Sequence, residues 1–348
     1  QFVVKSQFRA MAKSKLKRRA NRSKKGAQDE VDPSHAKVSK GASKRPRGKE
    51  ISKTNEEEMT ATVGPAASST SKETFQVEFE FFDPEEEDFH SVRDLLCSGT
   101  LGALDLDFSG IANSIVDQVN IGTMVKSGAE EAQQSQEAPA SDEDDVTLCG
   151  MLTILNLRQF SEQVWCKNLV ALLESKVKSD KQMLQYTRAS GKEQVGLIIS
   201  ERFVNLPLEV IPAMHNVILE DISWSCTTEY CPAEERPFYF FTHFICLARC
   251  QAISSGKSEG SLQTFQLKDG SQLLFSRAEE LALARAASYV TSFPQPLKDD
   301  GPGLGLSTKK RKIAQGGGVK GQERLAVLGL SKKAYEGAVK TLRESLEE

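Results

Sequence analysis

The amino-acid sequence predicts an α/β fold, a single body in which helices flank one central sheet, and three observations lead to it. Apolar runs of strand length, some alternating with period 2 and some continuous, take turns along the chain with apolar residues at i, i+3, i+4 and i+7, as strands and helices respectively require. Pro, Gly and Asn clusters punctuate the junctions. The chain has 348 residues, enough for one or two globular units plus tails, and the alternation runs from residue 74 to its end without a second start.

Taken in order, Phe75, Val77, Phe79 and Phe81 alternate with Gln76, Glu78 and Glu80, which describes a half-buried strand over 75–82. Phe108, Ile111, Ala112, Ile115, Val116 and Val119 stack on one helical face, and Ile121–Val125 follows as a short strand. Residues 127–145 hold no large apolar group and end in four consecutive acids, so they read as an acidic loop. Val146–Leu157 is nearly continuous in apolar residues, as a strand covered on both sides should be. Ser161 is the expected cap of a helix that carries Trp165, Leu169, Leu172 and Leu173 inward.

Val195–Val204 repeats the buried-strand pattern before a helix bearing Val210, Ile211, Met214, Val217 and Ile218. Pro212 there implies a late start or a kink. Phe238–Leu247 reads as an aromatic strand, and Ser271–Phe275 as a strand leading to a helix from Arg277 to about Tyr289. A Gly/Pro-rich linker over 292–322 precedes the closing strand Arg324–Leu330, the cap Ser331 and a helix with Tyr335, Ala338, Val339, Leu342 and Leu346 inward. Residues 1–73 are expected to be a disordered basic tail, since their few large apolar residues cannot offset roughly 1 to 2 kcal/mol of backbone entropy per ordered residue. Residues 1–10 read as sequence upstream of a start at Met11.

Charge divides the chain. Residues 1–50 hold 16 Lys/Arg against 4 Asp/Glu, leaving 29 basic against 44 acidic residues beyond them, although the formal net charge is only −3. No run approaches the ~20 apolar residues that cross a bilayer, which excludes an integral membrane protein of the helical kind. Seven cysteines at this length, with no apolar leader in view, point to a reducing compartment rather than a disulfide framework.

The segment Gly196-Leu-Ile-Ile-Ser-Glu-Arg-Phe-Val-Asn-Leu-Pro207 resembles the signature of the BCCIP family, in a form of plant or algal type. The likeness extends to the Phe-rich strand at 75–82, Ile154–Leu157, Pro237–Phe241, the helix start Ala278-Glu279-Glu280 and the strand-helix pair at 324–345. It covers roughly residues 74–348 and leaves the basic tail out. The resemblance implies a mixed central sheet flanked by helices, like that of GNAT-type acetyltransferases but without their activity. It also implies nuclear protein–protein work: roles in genome maintenance and cell-cycle control, and in fungal-type relatives a chaperone and export factor for a large-subunit ribosomal protein. Animal-type members carry an acidic, Trp-containing segment before the last strand, and here a linker with Lys309-Lys310-Arg311-Lys312 stands in its place.

The basic runs Lys13, Lys15, Lys17, Arg18 and Arg19, and Lys309, Lys310, Arg311 and Lys312, suit capture by the acidic groove of a nuclear import receptor. The bland readings are a solvated linker or nonspecific attraction to RNA phosphates, and an organellar leader is disfavoured by the lysine density. The acidic clusters Glu85, Glu86, Glu87, Asp88 and Asp142, Glu143, Asp144, Asp145 are candidate partner-binding groups, able to neutralise a ribosomal protein that lacks its rRNA. Solvating loops are the bland alternative, and Ser141 sits in a setting that acidophilic kinases favour. Glu201 and Arg202 exceed what core packing explains. They either pair to hold the turn or mark a binding edge where a GNAT enzyme would hold its cofactor.

Cys226-x4-Cys231 and Cys246-x3-Cys250, with His243 and His215, draw as a zinc set, but the spacings lack the tight C-x2-C pairs and core cysteines are the simpler reading. No metal or cofactor is expected. No strand-helix junction carries the Arg/Gln-x-x-Gly-x-Gly/Ala turn that would hold an acetyl donor's pyrophosphate, no Walker lysine follows the glycine clusters, and the four histidines show no nucleophile-base pairing. The expectation is therefore a nonenzymatic nuclear adaptor or chaperone for a basic client, shuttling to the cytoplasm, with repair and cell-cycle proteins as further partners and without membrane or direct nucleic-acid binding. The rivals are a GNAT-type acetyltransferase with an atypical donor site and an RNA-binding ribosome-assembly factor.

Overall fold

The structure is a computed structural model that describes residues 3–4, 78–118, 120–127, 147–177, 193–253, 264–295 and 322–347. Among the described residues, ten strands form one mixed sheet: β1 (Val3–Val4), β2 (Glu78–Phe82), β3 (Thr123–Ser127), β4 (Thr147–Asn156), β5 (Val195–Arg202), β6 (His243–Ile253), β7 (Thr264–Gln266), β8 (Gln272–Phe275), β9 (Tyr289–Pro294) and β10 (Gln322–Ser331). Their order is β1-β2-β3-β4-β5-β6-β10-β9, with β8 also beside β6 and β7 beside β8. Only β1–β2 and β5–β6 are parallel among these pairs.

Among the described residues, six α-helices cover the two faces: α1 (Phe89–Ser98), α2 (Phe108–Asp117), α3 (Val164–Lys176), α4 (Val210–Thr227), α5 (Ala278–Ala286) and α6 (Lys332–Glu347). Strand alternation sends Leu197, Ile199, Leu325 and Val327 to one core with α1, α2 and α3, where Trp165 is fully buried and its Nε1 donates to Ser114 Oγ at 3.0 Å. Ile198, Ala326, Leu328 and Leu330 join the other core with Met214, Leu283 and Tyr335 of α4, α5 and α6. No helix among the described residues is long and apolar enough to cross a membrane.

Most expected elements are present, and the differences have physical reasons. The 164–176 helix begins after a turn over 158–163, so Ser161 is not its cap and Gln163 occupies that position. Pro212 neither delays nor interrupts α4: it lies in the first turn, where a backbone N–H has no intrahelical acceptor to lose. Pro237 helps turn Arg236–Tyr239 into a short 3-10 helix, so the aromatic strand begins only at His243. The helix from 278 stops at Ala286, and Tyr289–Pro294 forms an edge strand that claims the start of the expected 292–322 linker. The helix α1 and the short strand β7 were not expected. Val3–Val4, within the stretch set aside as upstream sequence, pairs with Glu78–Phe79. Apart from these two residues, the expected tail, residues 128–145 of the expected acidic loop and residues 296–321 of the expected linker lie outside the described residues.

Candidate functional site

The parallel pair β5–β6 opens into a wedge. Val195–Ile198 are in register with His243–Cys246, but beyond Ile198 the strands part, and β8 takes the place beside Cys250–Ile253 that β5 has left. Such a parting exposes backbone and side chains that a sheet normally satisfies, and here charged side chains fill it. Glu201, 2% exposed, accepts the Thr100 backbone N–H through Oε1 and the Arg277 Nη2 through Oε2 at 3.0 Å. Arg277 Nη1 donates to the Ser200 carbonyl at 2.7 Å, capping the freed edge of β5. Arg202 reaches Glu279 at 2.7 Å, and Arg249 donates to the carbonyls of Ser98 and Gly99. Gly99 is required at this point because a Cβ there would stand 2.2 Å from the Glu201 carboxyl carbon.

The cluster holds one carboxylate more than its two ion pairs use. Arg277 serves Glu201 and Arg202 serves Glu279, while Glu280 lies 3.9 Å from Arg277 and its Oε2 has no hydrogen-bond partner. Burial pushes the Glu280 carboxyl up to about 8, so it keeps its proton at neutral pH. Beneath it, His215 Nδ1 meets Tyr335 Oη at 2.7 Å, joining α4 to α6, and burial lowers the imidazole to about 4, so it is neutral. His215 Nε2 is likewise unpartnered and lines the same enclosed cavity of about 20 Å³ as Glu280 and Cys246. That space is on the order of one water molecule. The wedge is therefore filled by charged side chains, with Glu280 Oε2 and His215 Nε2 left unpartnered beside a small cavity.

Glu201 and Arg202 do not pair with each other to hold the turn: Glu201 takes Arg277 and Arg202 takes Glu279, with both side chains largely buried. Asp88 is also withdrawn from the surface: 6% exposed, it binds Lys126 at 2.6 Å and accepts the Glu85 backbone N–H. Glu86 and Glu87 are exposed and Glu85 half-buried. Asp142, Glu143, Asp144, Asp145, Lys13, Lys15, Lys17, Arg18, Arg19, Lys309, Lys310, Arg311 and Lys312 lie outside the described residues. No three His, Cys, Asp or Glu side chains among the described residues are grouped to hold a metal ion. Burial pushes the Cys246 and Cys250 thiols up, as it does for core cysteines.

Two features escape sequence reasoning. Arg277, Glu279 and Glu280 complete the wedge from a distant element, and the only local signal is a pair of acids in a helix otherwise rich in Ala and Leu. Where β5 ends, Phe203, Val204 and Leu208 are 45%, 100% and 48% exposed, so the end of the sequence signature and the residue after it stand in water. A groove of about 760 Å³ also runs between α5 and α6, floored by Ala278, Ala282, Ala286 and Ala338.

The profile of the BCCIP family matches residues 74–283. A protein named bcp1 from Emericella nidulans is 28% identical over 295 residues, covering 81% of this chain and 92% of that one. A bcp1 protein of Schizosaccharomyces pombe is 26% identical over 72% of this chain and 84% of its own length, and a BCCIP homolog of Arabidopsis thaliana is 28% identical over 64% of each. The crystal structure of BCP1 from Saccharomyces cerevisiae matches with a TM-score of 0.48 at 15% identity, covering 79% of this chain and 92% of that one.

Proposed function

Because the chain belongs to the BCCIP family, we propose that it is a nonenzymatic nuclear adaptor or chaperone whose acidic body binds a basic client. The client class is a free large-subunit ribosomal protein, escorted during ribosome biogenesis and export, and repair and cell-cycle proteins would be further partners. The observation that supports the nonenzymatic half is the seating of Arg277 between Glu201 and the Ser200 carbonyl, which occupies the opening between the parted strands β5 and β6. Supporting the client half is the surplus of 44 acidic over 29 basic residues beyond residue 50. A ribosomal protein outside the ribosome carries uncompensated positive charge, and complementary potential lowers the cost of holding it in solution. The basic runs at 13–19 and 309–312 would serve nuclear entry.

Affinity purification of the full chain from nuclear extract, with RNase present and at moderate salt, tests the client reading. One ribosomal protein recovered in stoichiometric amount, without the rest of its subunit, is the expected result. Whole preribosomes, or nothing once RNA is digested, would favour the RNA-binding assembly factor. Calorimetry with acetyl-CoA should give no binding heat, and a saturable signal would restore the acetyltransferase.

A further inference from the structure

The loop that leaves β5 is pinned while its apolar side chains are not covered. The Phe203 N–H donates to the Cys149 carbonyl at 2.9 Å, Leu206 N–H to the Phe203 carbonyl at 3.3 Å, and Val210 N–H to the Pro207 carbonyl at 3.2 Å. Leu206 is buried in the core shared with α4, and Arg202, the residue before the loop, is held by Glu279. Phe203, Val204 and Leu208 are nevertheless largely exposed, within six residues of one another in sequence. A rigid loop that displays three large apolar groups has no folding reason to do so, and clustered exposure of this kind marks a protein-binding surface.

The charge around the loop selects the partner. Glu209 is exposed on the loop itself and Glu80 on β2 at the same end of the sheet, where Phe79 faces Ser127 and Cys149 adjoins Phe203. At that end Lys126 is paired with Asp88 at 2.6 Å, which leaves the two glutamates as its exposed charges on β2 and the loop. Resting on the basic-client reading above, we propose that Phe203, Val204 and Leu208 are the apolar anchor of the docking surface for that client. The client's apolar side chains cover the three residues while its Lys and Arg side chains face Glu80 and Glu209.

The test uses the full chain and a panel of individually purified large-subunit ribosomal proteins, with acidic proteins of similar size as controls. Affinities are measured by calorimetry at two salt concentrations. The wild-type chain should bind at least one basic panel member, more weakly at high salt. The variant Phe203→Ser/Val204→Ser/Leu208→Ser should lose about tenfold or more in affinity with an unchanged thermal midpoint. Val204→Lys alone, at a fully exposed position, keeps the comparison valid should the triple variant melt early, and it should weaken binding as well. Equal binding by wild-type chain and both variants would overturn the anchor and leave the client reading standing. Binding of the acidic controls through the same residues would overturn the basic partner. Failure of the wild-type chain to bind any basic panel member would overturn both readings.

Discussion

At Gly99 a single missing methyl group decides whether the wedge closes. The Glu201 carboxylate lies against the glycine backbone, held there by the Thr100 N–H and Arg277, so a Cβ cannot be accommodated by swinging the acid aside without breaking both contacts. Gly99→Ala should therefore cost about 1 to 3 kcal/mol, read as a lower urea midpoint with an unchanged slope. Glu280 and His215 make the interior sensitive to pH in opposite directions. Glu280 rises from an ordinary 4.5 to about 8 in the fold, so it binds its proton more tightly when folded, and its contribution is lost as pH climbs through that range. His215 falls from 6.5 to about 4, so its contribution is lost as pH drops through that range. Between 4.5 and 6.5 the Glu280 and His215 slopes oppose each other, and above 6.5 the loss from Glu280 remains, in the same direction as that from Glu201, which burial also raises. Urea midpoints of the wild-type chain should thus decline from pH 6.5 to 8, and Glu280→Gln, which keeps the neutral shape, should flatten that decline. In the sequence, Glu201 and Arg202 stand out as charges on an apolar strand. Their partners Arg277 and Glu279 lie 76 and 77 residues away, a pairing that no local pattern encodes.

At the scale of the element, the same residue type shows the opposite economy on α6. Gly337 sits within the helix with nothing within 4 Å of where its Cβ would be. It therefore weakens the helix without a packing return inside the chain, and Gly337→Ala should raise stability by roughly 0.5 to 1 kcal/mol, measured as an upward shift in thermal midpoint. Elements whose amphipathic period is long and uninterrupted were legible: the continuous apolar β4, the stacked α2 with its Asp107 side-chain cap, and the β10–α6 pair with Ser331 Oγ accepting the Ala334 N–H. Those hidden were short or masked by neighbours. The helix α1 follows directly on the acids 85–88 and buries only Val92, Leu95 and Leu96, too brief a stripe to stand out. Strand β9 begins three residues after α5 ends, so its Tyr289 reads as a continuation of helical spacing.

Over the whole molecule, the feature least visible in the sequence is the order of the strands. Alternating strands and helices declare an α/β body, but nothing local states that β10, the last strand of the chain, inserts between β6 and β9. Its ten residues are in register with the full length of β6 from Ala252 to His243 on one side and with Pro294–Tyr289 on the other. Leu325 and Val327 complete one core, and Ala326, Leu328, Leu330 and Tyr335 complete the other. A chain ending at residue 321 should therefore lack cooperative unfolding by circular dichroism and hydrogen exchange, and a synthetic peptide spanning 322–348 should restore it in trans. The family profile matches up to residue 283, whereas the folding unit continues through α6. That placement also sets the timing of synthesis. While translation continues, β6 has no neighbour along its future β10 side, and the nascent chain carries a long unpaired edge until residues 322–331 leave the exit tunnel. Folding is thus postponed until β10 has been made, and synthesis that stalls before it releases no partly useful product, only substrate for degradation.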